Sequence, residues 1–171
     1  DYYQFQRLPD GRMAIVVADA SGHGMAAGLL MAVANATLYL ALELDPSPVA
    51  VSNLLHRAIW RTGDRRSFLT LFYALLDPAS GTMQYANAGH ELAFYRTANE
   101  VVELPTAPFH LGVDLDAMFD QDEIRFGHGE YLLLCHRNLV EAANLQGDLF
   151  GADRLKEILR NHPEADEALV E

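Results

Sequence analysis

The stretch Met13-Ala-Ile-Val-Val-Ala-Asp-Ala-Ser-Gly-His-Gly-Met-Ala-Ala-Gly28 constrains this chain more than any other. An apolar run with the β-branched residues Ile15, Val16 and Val17 is a strand signal, and it ends on Asp19. The glycine-punctuated turn Ser21-Gly22-His23-Gly24 follows and opens into a long apolar helical segment. A strand–turn–helix of this kind places a carboxylate at a strand end beside a flexible backbone. Asp in that position is ordinarily a turn or cap residue. Here Asp19, Ser21 and His23 gather within five residues, next to two glycines that allow backbone to approach a ligand closely, and this makes the stretch the candidate site.

The chain has 171 residues, half of them hydrophobic, enough for one compact domain spanning 1–171. Twelve Lys and Arg stand against twenty-four Asp and Glu, and the net charge of −12 argues against nucleic acid as the main partner. A protein, a metal ion or a cationic partner fits better. Cys135 is the single cysteine, so no internal disulfide can form. It sits in the apolar run Tyr131-Leu-Leu-Leu-Cys135, which predicts a buried strand position and an inert thiol and allows an intracellular setting.

Met25 to Leu42 carries no charge over eighteen residues, close to the length of a membrane span. Gly28, Asn35, Thr37 and six alanines dilute its hydrophobicity, and no basic flank marks an inside face, so the expectation is a core helix and no membrane insertion. Being apolar all round, it is expected to be buried on two sides, one stripe formed by Leu29, Val33, Ala36 and Leu40 and another by Met31, Leu38 and Leu42. The chain begins Asp1-Tyr2-Tyr3, with neither a basic region nor a methionine, and reads as an excised fragment.

Taken in order, Asp10-Gly11 is a hairpin signal that pairs the Tyr2 to Phe5 strand with Met13 to Ala18. Asp1 and Asp19 are thereby expected to converge at one end of a sheet. Asp45-Pro46-Ser47-Pro48 separates two helices, with Ser47 as N-cap and Pro48 at the first helical position. Val51, Leu54, Leu55, Ala58 and Ile59 form an apolar face opposite Ser52, Asn53, Arg57 and Arg61, and Gly63 is the predicted stop. Strands follow at Phe68 to Leu76 and Thr82 to Ala88, at Leu92 to Arg96 and Val101 to Leu104, and at Met118 to Phe126 and Glu130 to Leu134. A helix at Asp153 to Arg160 precedes an acidic, solvated tail from Asn161 to Glu171. Two helices inserted early into an otherwise antiparallel sheet protein predict an α+β, αββα layered architecture. The seven histidines lack the spacing of a zinc site and read mostly as surface or turn residues.

Several ordered motifs resemble one family, the metal-dependent (PPM, type 2C) serine/threonine phosphatases, in their bacterial sporulation-E-type branch. Asp1-Tyr-Tyr3 resembles part of that branch's Gly-Asp-x-Tyr-Asp motif, and Asp19-Ala-Ser-Gly-His-Gly24 its Asp-x-Ser-Gly-His-Gly. Phe68-Leu-Thr-Leu-Phe-Tyr73, Asp77-Pro-Ala-Ser-Gly81, Tyr85-Ala-Asn-Ala-Gly-His90 and Leu149-Phe-Gly-Ala-Asp-Arg-Leu155 match in the same order. The resemblance covers essentially the whole chain. It implies a four-layer αββα sandwich of antiparallel sheets flanked by helix pairs. It also implies two Mg²⁺ or Mn²⁺ ions that activate a water for attack on phosphorus. By this resemblance Asp19 is the bridging carboxylate, Ala20 offers its carbonyl, Asp1 holds metal through water, and His23 donates a proton to the leaving oxygen. The implied partner is a phosphoprotein substrate or regulatory protein in sigma-factor control, with an upstream sensory or receiver module compatible with the truncated start.

Three departures set a second reading beside the first. Arg137, in Cys135-His-Arg-Asn-Leu139, stands where the family's Thr-Asp-Gly-Val motif has a metal-ligating aspartate, and a guanidinium cannot bind a cation. Gln4 replaces the second aspartate of the first motif, removing a charge expected near the site. The family's final Asp-Asp segment is not reached, so one Mn²⁺ or Mg²⁺ ion or none is expected here in place of the family's two. The first reading is a serine/threonine protein phosphatase; the second is a catalytically reduced module that binds a partner through the same face.

Overall fold

A computed structural model of the chain describes residues 2–62 and 67–161. Asp1, the Gly63 stop and the tail beyond Asn161 lie outside the described residues. The chain is α+β, with two antiparallel sheets. Its residues group into two compact units, one built from the chain up to His90 with Thr106–Arg125, the other from Glu91–Pro105 with the chain from Phe126 onward.

The first unit carries a five-stranded sheet in the order β1-β2-β3-β4-β7, formed by β1 (Tyr2–Arg7), β2 (Met13–Ala20), β3 (Leu69–Asp77), β4 (Thr82–Ala88) and β7 (Asp122–Arg125). The hairpin at Asp10-Gly11 closes as expected, with Leu8 N–H donating to the Arg12 carbonyl at 2.8 Å. Alternation decides which side chains enter the core: Ala14, Val16, Ala18 and Ala20 of β2 are all buried, and the register sets them beside Leu75, Tyr73, Leu71 and Leu69 of β3. This face is covered by α1 (Met25–Leu44) and α2 (Pro48–Thr62), whose ends agree with the helices predicted from sequence. Between them, Asp45 Oδ1 accepts the Ser47 N–H at 2.9 Å, and the hydroxyl of fully buried Tyr73 donates to the Pro46 carbonyl at 2.8 Å, tying the turn to the sheet.

The facing of α1 corrects the two-sided expectation. Its buried residues are Leu30, Ala34, Leu38 and Ala41, and Met31 and Leu42 pack half-buried against the same core, so the expected Met31, Leu38 and Leu42 stripe faces inward, while Leu29 is 63% exposed and Leu40 59%. A helix that is apolar all round has no preferred direction, so its orientation is set by what it packs on. By length and mean hydropathy of 1.8, α1 could cross a membrane, yet its buried stripe joins the same apolar core as β2, β3 and α2. On α2 the buried face is likewise rotated from the predicted one: Ser52 and His56, a turn apart, are buried with Val51, Leu55 and Ile59. The strand expected from Met118 forms only at Asp122–Arg125, because Ala117 and Phe119 turn into the core instead.

The second unit carries a three-stranded sheet in the order β6-β5-β8, formed by β5 (Ala93–Arg96), β6 (Val101–Glu103) and β8 (Tyr131–Leu134). Its own core gathers Leu92 and Phe94 with Leu155 and Leu159 of α4 (Ala152–Asn161). A short helix, α3 (Arg137–Glu141), was not foreseen; His136 caps it, Nδ1 accepting the Asn138 N–H at 3.2 Å. Cys135 lies one residue past β8 and is half-buried, not fully buried as predicted. Burial still pushes its thiol up to about 11, which keeps it unreactive.

Candidate active site at the end of β2

Asp19 is the penultimate residue of β2, half-buried and opposite Thr70 of β3. Since Ala18 and Ala20 point into the helix-covered core, Asp19 projects from the opposite face with Ile15 and Val17. The same alternation sorts β1. The Tyr2 hydroxyl donates to Asn35 of α1 at 2.7 Å, and Gln4 Nε2 donates to the Tyr39 hydroxyl at 2.9 Å, while Tyr3 and Phe5 stand 75% and 63% exposed on the other side. Gln4 is therefore on the helix side of the sheet, away from the Asp19 face, which corrects its reading as a charge lost near the site. The pairing of β1 with β2 is described as far as Tyr2 opposite Ala18, next to Asp19.

Past Ala20 the strand must stop so that the chain can reverse into α1. The ladder with β3 continues for one more pair: Ser21 N–H donates to the Phe68 carbonyl at 2.9 Å. The return bond uses the side chain, since Phe68 N–H donates to Ser21 Oγ at 2.9 Å. By standing in for a backbone acceptor, the hydroxyl keeps the Phe68 amide satisfied while the main chain turns away. Gly22 (φ 84°) and Gly24 (φ 74°) then supply the left-handed backbone that the reversal needs. His23, between them, is exposed, and Gly24 enters α1 with no side-chain cap bond. Asp19, Ala20 and His23 are thus brought to one strand end and its turn, whereas Asp1 falls outside the described residues.

Among the described residues no three His, Cys, Asp or Glu side chains come together. Mg²⁺ or Mn²⁺ calls for about six oxygen donors in octahedral array. The described donors at this strand end are the Asp19 carboxylate and backbone oxygens such as that of Ala20, which do not by themselves fit a two-ion centre. In the second unit, Arg137 is the first residue of α3, and its Nε lies 3.3 Å from Glu91 and 3.8 Å from Glu141, one turn along the helix. Two carboxylates balance its charge locally.

Sequence reasoning passed over two groups. Asn87, Gly89 and Thr106 form a hydrogen-bonded network, and the His110 ring lies against Gly89 and stacks on Phe68. His56 is 2% exposed and His90 4%, although most histidines were assigned to surfaces and turns. The Asn-Ala-Gly-His motif pointed to Asn87, Gly89 and His90; nothing in the sequence marked His110 or His56.

With this geometry in view, the relatives become informative. The family model for stage II sporulation protein E (SpoIIE) matches residues 9–171, nearly the whole chain and both units. The chain belongs to the SpoIIE family. It is 27% identical over 164 residues to the phosphoserine phosphatase RsbU of Bacillus subtilis, covering 95% of this chain and 48% of that protein. It is 23% identical over 171 residues to the phosphoserine phosphatase RsbP of the same organism, covering 96% of this chain and 40% of that one. The chain thus spans less than half the length of these relatives. Among solved structures, the SiaA-PP2C domain of Pseudomonas aeruginosa superposes with a TM-score of 0.82 at 23% identity, over 99% of this chain and 68% of that one. The fold is therefore of the PP2C type.

Proposed function

We propose that the two units together form one serine/threonine protein phosphatase domain, hydrolysing phosphoserine or phosphothreonine on a regulatory protein of the sigma-factor-control type. The observation that carries this reading is the placement of Asp19: a carboxylate at a strand end, on the face away from the helices, beside a glycine turn, in a chain whose relatives include phosphoserine phosphatases. In the reaction, a water oxygen bonds to phosphorus, the bond to the serine oxygen breaks, and that oxygen takes up a proton. His23, exposed on the turn, is the proposed proton donor. Asp19, the Ala20 carbonyl and Asp1 are the proposed oxygen donors toward Mn²⁺ or Mg²⁺. The domain is proposed to work in the cytoplasm, uninserted in membrane and without nucleic acid, downstream of a sensory or receiver module.

One sequence feature favours a second reading, a partner-binding module with reduced catalysis: by the resemblance, Arg137 stands where the family has a metal-ligating aspartate. Phosphate release from a phosphoserine peptide in excess Mn²⁺ separates the two. Turnover supports the phosphatase; binding of the peptide without release supports the module.

A further inference from the structure

The turn that presents Asp19 and His23 is gripped through Phe68, and Phe68 is itself braced. Its ring stacks on His110 with centroids 4.9 Å apart and planes 17° from parallel. Behind the histidine lies Gly89, at φ 76°; a Cβ there would overlap the His110 ring, so the ring fits only because position 89 has no side chain. Gly89 is fixed in turn. Its N–H donates to Thr106 Oγ1 at 2.9 Å, Thr106 Oγ1 lies 3.2 Å from Asn87 Oδ1, and that same Asn87 oxygen accepts the His90 N–H at 3.0 Å. Next to His110, Leu111 exchanges both backbone hydrogen bonds with Leu69 at 2.9 and 3.0 Å, which fixes the height of the histidine beside Phe68. An unbroken set of contacts therefore runs from the Asn-Ala-Gly-His turn, through His110 and Phe68, to Ser21 in the Asp19 turn.

We propose that His110 is a positioning residue for the Asp19–Gly24 turn. Its ring, seated on Gly89 and stacked on Phe68, holds still the backbone whose N–H and carbonyl grip Ser21. The planar ring is what matters, because it stacks face to face on Phe68 while fitting the space left by the missing side chain at Gly89. Its consequence for catalysis rests on the phosphatase reading above, since a displaced carboxylate lowers the rate without weakening substrate binding.

The test is amide hydrogen exchange on the full chain, comparing wild type with His110→Ala, His110→Leu and His110→Phe. Leucine keeps the volume but not the flat face, so it retains a folded comparison should alanine destabilise the chain. Exchange at Ser21–Gly24 and Phe68 should quicken roughly two- to tenfold in the alanine and leucine variants and return to the wild-type rate with phenylalanine. Amides of Ala14–Ala18 should not change. With a phosphoserine peptide and Mn²⁺, kcat of the alanine variant should fall while KM holds. Unchanged exchange at Ser21–Gly24, an equal increase throughout β2, or a phenylalanine variant as loose as alanine would each overturn the proposal. If wild type shows no turnover, the phosphatase reading fails and the exchange pattern alone decides the role of His110.

Discussion

Gly112 donates its backbone N–H to Nδ1 of His56 at 3.0 Å, inside the core of the first unit. The ring is held neutral: burial lowers its pKa from the ordinary 6.5, outweighing the opposite pull of the Leu115 backbone and Asp114, and Arg57 adds to the lowering. Protonating Nδ1 would also remove the acceptor that Gly112 uses. As pH falls, the unfolded chain takes up this proton first. The contribution of His56 is therefore complete above about pH 6.5 and is lost progressively as pH drops through the lowered native value. Urea unfolding between pH 7.5 and 5.5 should show a slope of up to about 1.4 kcal/mol per pH unit that is missing in His56→Gln.

The single buried stripe of α1 separates neighbouring leucines sharply. Leu38 is 1% exposed and Leu40 59%. Leu38→Ala should cost about 2–5 kcal/mol, whereas Leu40→Ala should stay within about 0.5 kcal/mol. Chemical denaturation of the two variants checks this, and similar losses at both positions would restore the two-sided expectation.

In the second unit, Arg96 is only 6% exposed, and its Nε donates to the carbonyl of Leu159 near the C-terminal end of α4 at 3.1 Å. Arg96→Met removes a charged donor and strands that carbonyl, at a cost of about 2 kcal/mol. The Lys156–Glu103 pair, at 2.7 Å but more exposed, should cost under about 1 kcal/mol when Lys156→Met breaks it. Limited proteolysis should accordingly nick α4 sooner in the arginine variant than in the lysine variant.

Much of this fold was legible because punctuation is local chemistry. Gly24 before α1 and Asp45-Pro46-Ser47-Pro48 after it delimit two helices whatever surrounds them, and Asp10-Gly11 fixes the first hairpin. The position of Asp19 was legible for the same reason, as a strand run meeting a glycine turn. The facing of α1 was not, because apolar residues on every side leave the choice to the sheet and α2. Gln4 was misplaced by reading a motif without its alternation: counted from the buried Ala14, Val16 and Ala18 through the β1 register, it falls on the helix side. His110 left no trace in the sequence, since its role depends on a stack with Phe68 and on the bare backbone of Gly89, contacts made only by the folded chain.

Asp19 carries the proposed catalysis, and the measurement that tests its role most directly is phosphate release from a phosphoserine peptide by wild type and Asp19→Ala, in excess Mn²⁺, with melting curves recorded alongside. The melting curves show that each variant is folded at the assay temperature, so that a fall in release reports the lost carboxylate and not unfolding. Release should fall by about a hundredfold or more. Release by Asp19→Ala within about twofold of wild type would contradict the assignment of this strand end as the catalytic centre.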